Sequence, residues 1–157
     1  MTISVVWGTG TAPTEMAAYD AALADAGVHN YNLVTVSSVI PADTDVEAVG
    51  TAPDLGPAGN RLTVVEAHAN AAGPRHVSAA LAWAKSDEGP GLFYEVAGDT
   101  DAADVEARVR TGIDAGMDLR DWSFDDATVR TTSTEADAGE YAAAVVVAAY
   151  GDSEPII

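Results

Sequence analysis

The sequence predicts a single α/β domain of mixed strand order. Short β-rich apolar segments alternate with amphipathic stretches, and 157 residues fit one compact domain with a real core. No internal repeat or linker divides the chain.

Residues 2–7 (Thr-Ile-Ser-Val-Val-Trp) read as a first strand, followed by a glycine turn at Gly8-Thr-Gly-Thr. A helix is expected from Pro13, a residue tolerated in the first helical turn. It runs through Met16, Tyr19, Asp20 and Leu23 and stops at Gly27, a natural C-terminal glycine. Residues 30–40 form a second β-rich segment, ended by Pro41. Residues 42–60 carry Pro, Gly and Asp without periodicity and read as a loop. Arg61 to Ala69 returns to strand. The next stretch, about 74–86, is expected to be a helix, with Val77, Ala80, Leu81 and Ala84 on one face. Leu92 to Ala97 is a short apolar strand. A further helix, about Asp101 to Ala115, turns Val105, Val109, Gly112 and Ile113 inward; Thr100 or Asp101 caps it and Asp104 suits its positive end. Two β segments close the chain, about 127–133 and 140–150. The second is rich in alanine, which favours helix, but Val145–Val147 and its short length point to a buried strand.

Charge narrows the function classes. Twenty-five acidic residues stand against 7 basic ones, a net charge of −18 spread along the whole chain. Such a surface repels nucleic acid and anionic membranes, so neither is an expected partner. It suits a high-salt cytoplasm, where self-repulsion is screened. There is no apolar run of about 18 residues, and the N-terminus lacks the basic region and cleavage site of a secretion signal; a cytoplasmic protein is expected. With no cysteine, thiolate nucleophiles, disulfides and Cys-based metal sites are excluded. His29, His68 and His76 are scattered and form no HxH or HExxH spacing, so no metal is expected. The single lysine, Lys85, is the only candidate for a pyridoxal-phosphate Schiff base. It reads instead as a cation at the end of the 74–86 helix, facing its dipole. Gly8-Thr-Gly before a helix lacks the third glycine of a dinucleotide fingerprint and reads as a structural turn. No GxSxG elbow is present.

What remains is Asn32-Leu-Val-Thr-Val-Ser37-Ser38-Val-Ile-Pro41. Taken alone, two serines in an apolar strand are unremarkable. Glu95, in Phe-Tyr-Glu-Val-Ala, reads on its own as a solvent-facing glutamate in an acid-rich chain. Asp20 shares a helix face with Met16 and Leu23, at i−4 and i+3; it is either an acid at the rim of an apolar stripe or a carboxylate that wants a cationic partner.

The stretch from Asp20 through Asn32-Leu-Val-Thr-Val-Ser37-Ser38 to Pro41 resembles the self-processing region of the pyruvoyl-dependent arginine decarboxylases. Gly8-Thr-Gly10 and Pro13 resemble that family's start, and Leu92-Phe-Tyr-Glu95-Val-Ala-Gly98 resembles its catalytic-acid strand. The serine motif is specific, and the likeness covers most of the first hundred residues in order. It departs at Thr35, where the family often has lysine, and in the acidic run Ala42-Asp-Thr-Asp-Val-Glu. The resemblance implies an αββα sandwich that cuts itself between Ser37 and Ser38 into residues 1–37 and 38–157, and three such cleaved protomers forming a ring with active sites between neighbours. Ser38 becomes a covalent pyruvoyl group, which supplies the electron sink that pyridoxal phosphate supplies elsewhere. Asn32 then stabilises the oxyanion of the cleavage step; on one continuous strand its side chain would point to the same side as that of Ser38. Glu95 is the general acid, its pKa raised by apolar surroundings. Asp20 binds the substrate guanidinium, since carboxylates pair bidentately with such groups. The implied reaction converts arginine to agmatine and CO₂, a step toward polyamines. A pyruvoyl enzyme for another amino acid such as histidine, and an unprocessed binding domain of the same fold, are the alternatives.

Overall fold

The structure, a computed structural model, describes residues 1–157. Its elements in chain order are β1 (Thr2–Ala12), α1 (Glu15–Ala26), β2 (Asn32–Thr35), β3 (Val39–Ile40), β4 (Asp45–Gly50), β5 (Arg61–Ala72), β6 (Arg75–Lys85), β7 (Gly91–Gly98), α2 (Ala102–Asp118), β8 (Thr128–Ala136) and β9 (Tyr141–Tyr150). Five strands form one mixed sheet in the order β2-β5-β9-β1-β4, and four form an antiparallel sheet in the order β3-β7-β6-β8.

The alternation of β9 shows how the layers stack. Ala142, Ala144, Val146 and Ala148 face the layer between the sheets, whereas Ala143, Val145, Val147 and Ala149 face α1. A strand buried on both faces carries apolar residues at every position, which explains the unbroken run from Ala142 to Ala149. On the second sheet, Val77, Ala79, Leu81 and Trp83 of β6 meet the first sheet, and Ala80, Ala82 and Ala84 receive Val105, Val109 and Ile113 of α2. The order is therefore α1, five-stranded sheet, four-stranded sheet, α2: the expected αββα sandwich. Both helices are capped as their sequences suggest. Thr14 accepts from the Ala17 N–H, Gly27 closes α1 in the left-handed region, and Asp101 accepts from the Asp104 N–H.

Four local expectations are corrected. The stretch 74–86 is a strand, β6, flanked on both sides by β7 and β8. Residues 77, 80, 81 and 84 fit a helical face, but so does any continuous apolar run, and double-sided pairing decides the outcome. Lys85 thus ends a strand, not a helix, and its Nζ donates to the Thr44 carbonyl. Within the expected loop 42–60, Asp45–Gly50 pairs in parallel with β1, a long-range contact that local composition does not report.

Gly8 and Gly10 do not form a turn; they lie within β1, opposite Val145 and Ala143. Their role is close packing. A Cβ at Gly8 would sit 2.2 Å from the Ala22 carbonyl oxygen, and one at Gly10 would sit 2.7 Å from that of Ala18. Helix α1 can lie this close only because β1 offers bare backbone. Gly8→Ala is therefore expected to destabilise the fold by about 1–3 kcal/mol, the usual cost of overpacking. Urea unfolding at constant salt reads this as a lower midpoint.

Every one of the 25 acidic residues keeps contact with solvent: the buried polar residues are Ser4, Thr44, Ser78 and Ser86. No helix is long and apolar enough to cross a membrane.

Candidate active site

The segment 32–40 is not one strand. β2 runs parallel to β5 at the edge of the five-stranded sheet, from Asn32 beside Arg61 to Thr35 beside Val64. The Val36 N–H continues that ladder to the Val64 carbonyl at 2.9 Å. The chain then leaves the sheet. Two residues later the Ser38 carbonyl accepts from the Phe93 N–H at 2.8 Å, and Val39 and Ile40 pair with Leu92 and Gly91 in the other sheet. The Ser37–Ser38 peptide is thus the step by which the chain crosses from one sheet edge to the other.

Nothing else holds that step. Neither serine hydroxyl has a hydrogen-bond partner, and the Ser37 carbonyl and Ser38 N–H lie outside both ladders. Ser37 is exposed and Ser38 partly so. A pocket of about 140 Å³ adjoins the pair, lined also by Val39, Leu92, Phe93, Tyr94 and Arg120. Arg120 is the one charged side chain among them, and it is anchored by donating to the Gly116 carbonyl at 2.8 Å.

Register places Glu95 on the same side as residue 38. Alternate residues of a strand point to opposite faces. Leu92 and Tyr94 of β7 turn toward α2, where Tyr94 fills the space above Gly112 and Gly116. Phe93 and Ala97, and with them Glu95, turn toward the layer between the sheets. Ile40 faces that layer too, opposite Gly91. Extending the register by one pair sets Ser38 opposite Phe93, so residue 38 shares this face and Glu95 is its diagonal neighbour. In a regular ladder that relation spans about 7–8 Å. Glu95 stands at the rim of the layer, open to solvent, yet burial of its carboxyl raises its pKa; a hydrogen bond from its own backbone opposes the shift weakly. The expectation of a raised carboxyl is met, by desolvation.

Tyr150, which the sequence did not single out, completes this cluster. As the last residue of β9 it faces the same layer, with its ring tilted against Phe93 at 6.0 Å between centroids. Its hydroxyl donates to the Val39 carbonyl at 2.9 Å. Burial, and then the charge of Glu95, push its pKa up to about 12. The available signal was a tyrosine closing an apolar strand, because a half-buried phenol normally finds a polar partner.

Asn32 lies apart from this cluster, and neither it nor Asp20 lines the pocket beside Ser38. The Asn32 amide donates to the Gly59 carbonyl at 2.8 Å. It sits at the far end of β2, roughly 13 Å of strand from Val36 at 3.2–3.4 Å per residue. Because the chain breaks from sheet to sheet at Ser37, the inference that Asn32 and Ser38 share one side of one strand does not hold. Asp20 is exposed, as is Met16; the buried face of α1 is Ala18, Ala22, Leu23 and Ala26. Its neighbours therefore do not demand a partner for Asp20, and its carboxylate is free on the surface. No three His, Asp or Glu side chains are grouped as a metal site would need.

Comparison with known proteins gives this arrangement a context. The family described as pyruvoyl-dependent arginine decarboxylase matches residues 2–155. A pyruvoyl-dependent arginine decarboxylase of Halobacterium salinarum is 67% identical over 154 residues, covering 98% of this chain and 96% of the relative. Those of Methanopyrus kandleri (31% over 147 residues, 94% of each chain) and Pyrococcus abyssi (35% over 137 residues, 86% of this chain and 84% of the relative) are more distant. With the match spanning both sheets, both helices and the crossing at Ser37–Ser38, the chain belongs to the pyruvoyl-dependent arginine decarboxylase family.

Proposed function

We propose that this chain decarboxylates arginine to agmatine, using a pyruvoyl group made from its own Ser38. The observation that carries the reading is the crossing peptide: a serine hydroxyl and the preceding carbonyl, adjacent, unpartnered and held on either side by different sheets. Its neighbours fit a small carbonyl group at residue 38, since the residue's own carbonyl is fixed by the Phe93 N–H and a protonatable carboxyl shares its face.

Cleavage needs no reactant besides the polypeptide and water. The Ser38 Oγ attacks the Ser37 carbonyl carbon, the Ser37–Ser38 C–N bond breaks, and an ester joins Ser37 to the Ser38 side chain. Tethering nucleophile beside target removes most of the entropic barrier. Loss of the Ser38 α-proton expels the Ser37 carboxylate by breaking the Cβ–Oγ bond. Water then replaces the nitrogen as ammonia, leaving a ketone at residue 38 and fragments 1–37 and 38–157. That ketone supplies an electron sink for an amino acid attached through its α-amine.

The protein's part in turnover is binding and proton supply. Glu95, its pKa raised above the ordinary carboxylate value by burial, returns a proton to the substrate's α-carbon after CO₂ departs. Phe93 holds the residue-38 carbonyl in the plane of its sheet. Asn32 and Asp20, both exposed and neither lining the pocket beside Ser38, act across the interface of a ring of three: Asn32 on the cleavage oxyanion, Asp20 on the guanidinium. The acidic surface fits work in a salt-rich cytoplasm.

CO₂ release across a panel of amino acids tests the substrate. Arginine should be turned over well ahead of the rest; no preference for it would overturn the reading. Asp20→Asn should raise KM for arginine by roughly 10–100-fold, as loss of a charge-assisted bond of about 1.5–3 kcal/mol implies. Chain cutting in that variant should proceed as in the parent, which intact-mass analysis of the same sample checks.

A further inference from the structure

We propose that Tyr150 is a positioning residue for the reaction centre at residue 38, tying the end of one sheet to the short strand that directly follows that residue. The inference rests on the reading of Ser38 given above. It starts from how little holds that strand. β3 has two residues and occupies the edge of its sheet. Successive carbonyls of a strand point to opposite sides, and the Ser38 carbonyl points at β7, where it meets the Phe93 N–H. The Val39 carbonyl therefore points outward, where an edge group normally meets water. Here it meets the Tyr150 hydroxyl at 2.9 Å.

The two anchors support one another. Phe93 binds the residue-38 carbonyl through its backbone and backs the Tyr150 ring with its own. Tyr150 is itself fixed in the ladder opposite Ile3. Its phenol, pushed up to about 12 by burial and the Glu95 charge, stays a donor throughout the neutral range.

Cutting makes this tie matter more. Once the chain is cut, residue 38 begins a fragment, and chain ends fray unless tied down. The buried Ile40 anchors β3 on one side and the Tyr150 hydroxyl anchors it on the other. A reacting group displaced by 1 Å loses on the order of 10²-fold in rate.

Tyr150→Phe removes the hydroxyl and keeps the ring. In cut protein, amide hydrogen exchange at Phe93, and at Ile40 whose N–H faces Gly91, should accelerate at least about tenfold, with β9 and β5 unchanged. The factor of about ten is set below the cost of a full 1 Å displacement. kcat for arginine should fall by a similar factor, with KM within about twofold. The same exchange comparison is made in the uncut Ser38→Ala background, so the result does not depend on cutting. Unchanged exchange at Ile40 and Phe93, or a general loosening along β9, would overturn the proposal. A parent chain that is never cut would instead overturn the function assigned to Ser38.

Discussion

Ser38→Ala should remain one chain of 157 residues and release no CO₂ from arginine above background. The loss should be at least on the order of 10⁶-fold, the lower end of what enzymes add to an uncatalysed reaction. The argument is one of bonds. Alanine has no oxygen to attack the Ser37 carbonyl, so the peptide survives and no ketone arises. The fold should not suffer, because the Ser38 hydroxyl has no partner whose loss would be felt. The contact that places the residue, from the Phe93 N–H to the residue-38 carbonyl, belongs to the backbone and persists. Circular dichroism and a thermal midpoint close to the parent's should accompany the inactive, uncut chain. A cut Ser38→Ala chain would contradict the mechanism outright.

Glu95→Gln should separate the two halves of the chemistry. Cutting uses the Ser38 hydroxyl and the Ser37 carbonyl, so the variant should still yield two fragments. Turnover should fall by about 10²–10⁴-fold, the usual contribution of a positioned proton donor. The pH dependence follows from the direction of the Glu95 shift. Burial raises its pKa, so the carboxyl stays protonated above the ordinary carboxylate range. The donating form is abundant below that raised pKa and is lost as pH rises through it. The parent's kcat should therefore descend on its alkaline side by about tenfold per pH unit, the behaviour of one essential acid. In Glu95→Gln that descending limb should vanish. The Tyr150 phenol should also titrate at lower pH in this variant, since the Glu95 charge helps hold it up. A variant with full turnover, or an unchanged pH limb, would remove Glu95 from the role.

The sequence and the structure agree best where local chemistry decides the outcome. Thr14, Gly27 and Asp101 mark helix ends because caps act over a few residues. β6 reads as a helix in the sequence because an alanine-rich strand buried between a helix and a second sheet has no period of its own; pairing with β7 and β8 imposes one. Gly8 and Gly10 looked like a turn because their packing reason, the carbonyls of α1, lies 8–14 residues away in sequence. The same limit applies to the site. The motif resemblance points to Ser37, Ser38 and Glu95, whereas no periodicity could show that the motif changes sheets between Val36 and Ser38. That change separates Asn32 from Ser38 and brings Tyr150, more than a hundred residues away, to the Val39 carbonyl. Asp20 lies on α1 as expected, and of the two residues that share its face Leu23 is buried while Met16 is exposed, which places Asp20 at the rim of the apolar stripe.

Intact-mass analysis of protein purified under native, salty conditions tests cleavage at Ser37–Ser38 most directly. Two components should be found, residues 1–37 with an ordinary carboxyl end and residues 38–157 blocked at the front by a ketone in place of an amine. A single species at the full 16.0 kDa, with serine still at position 38, would contradict it.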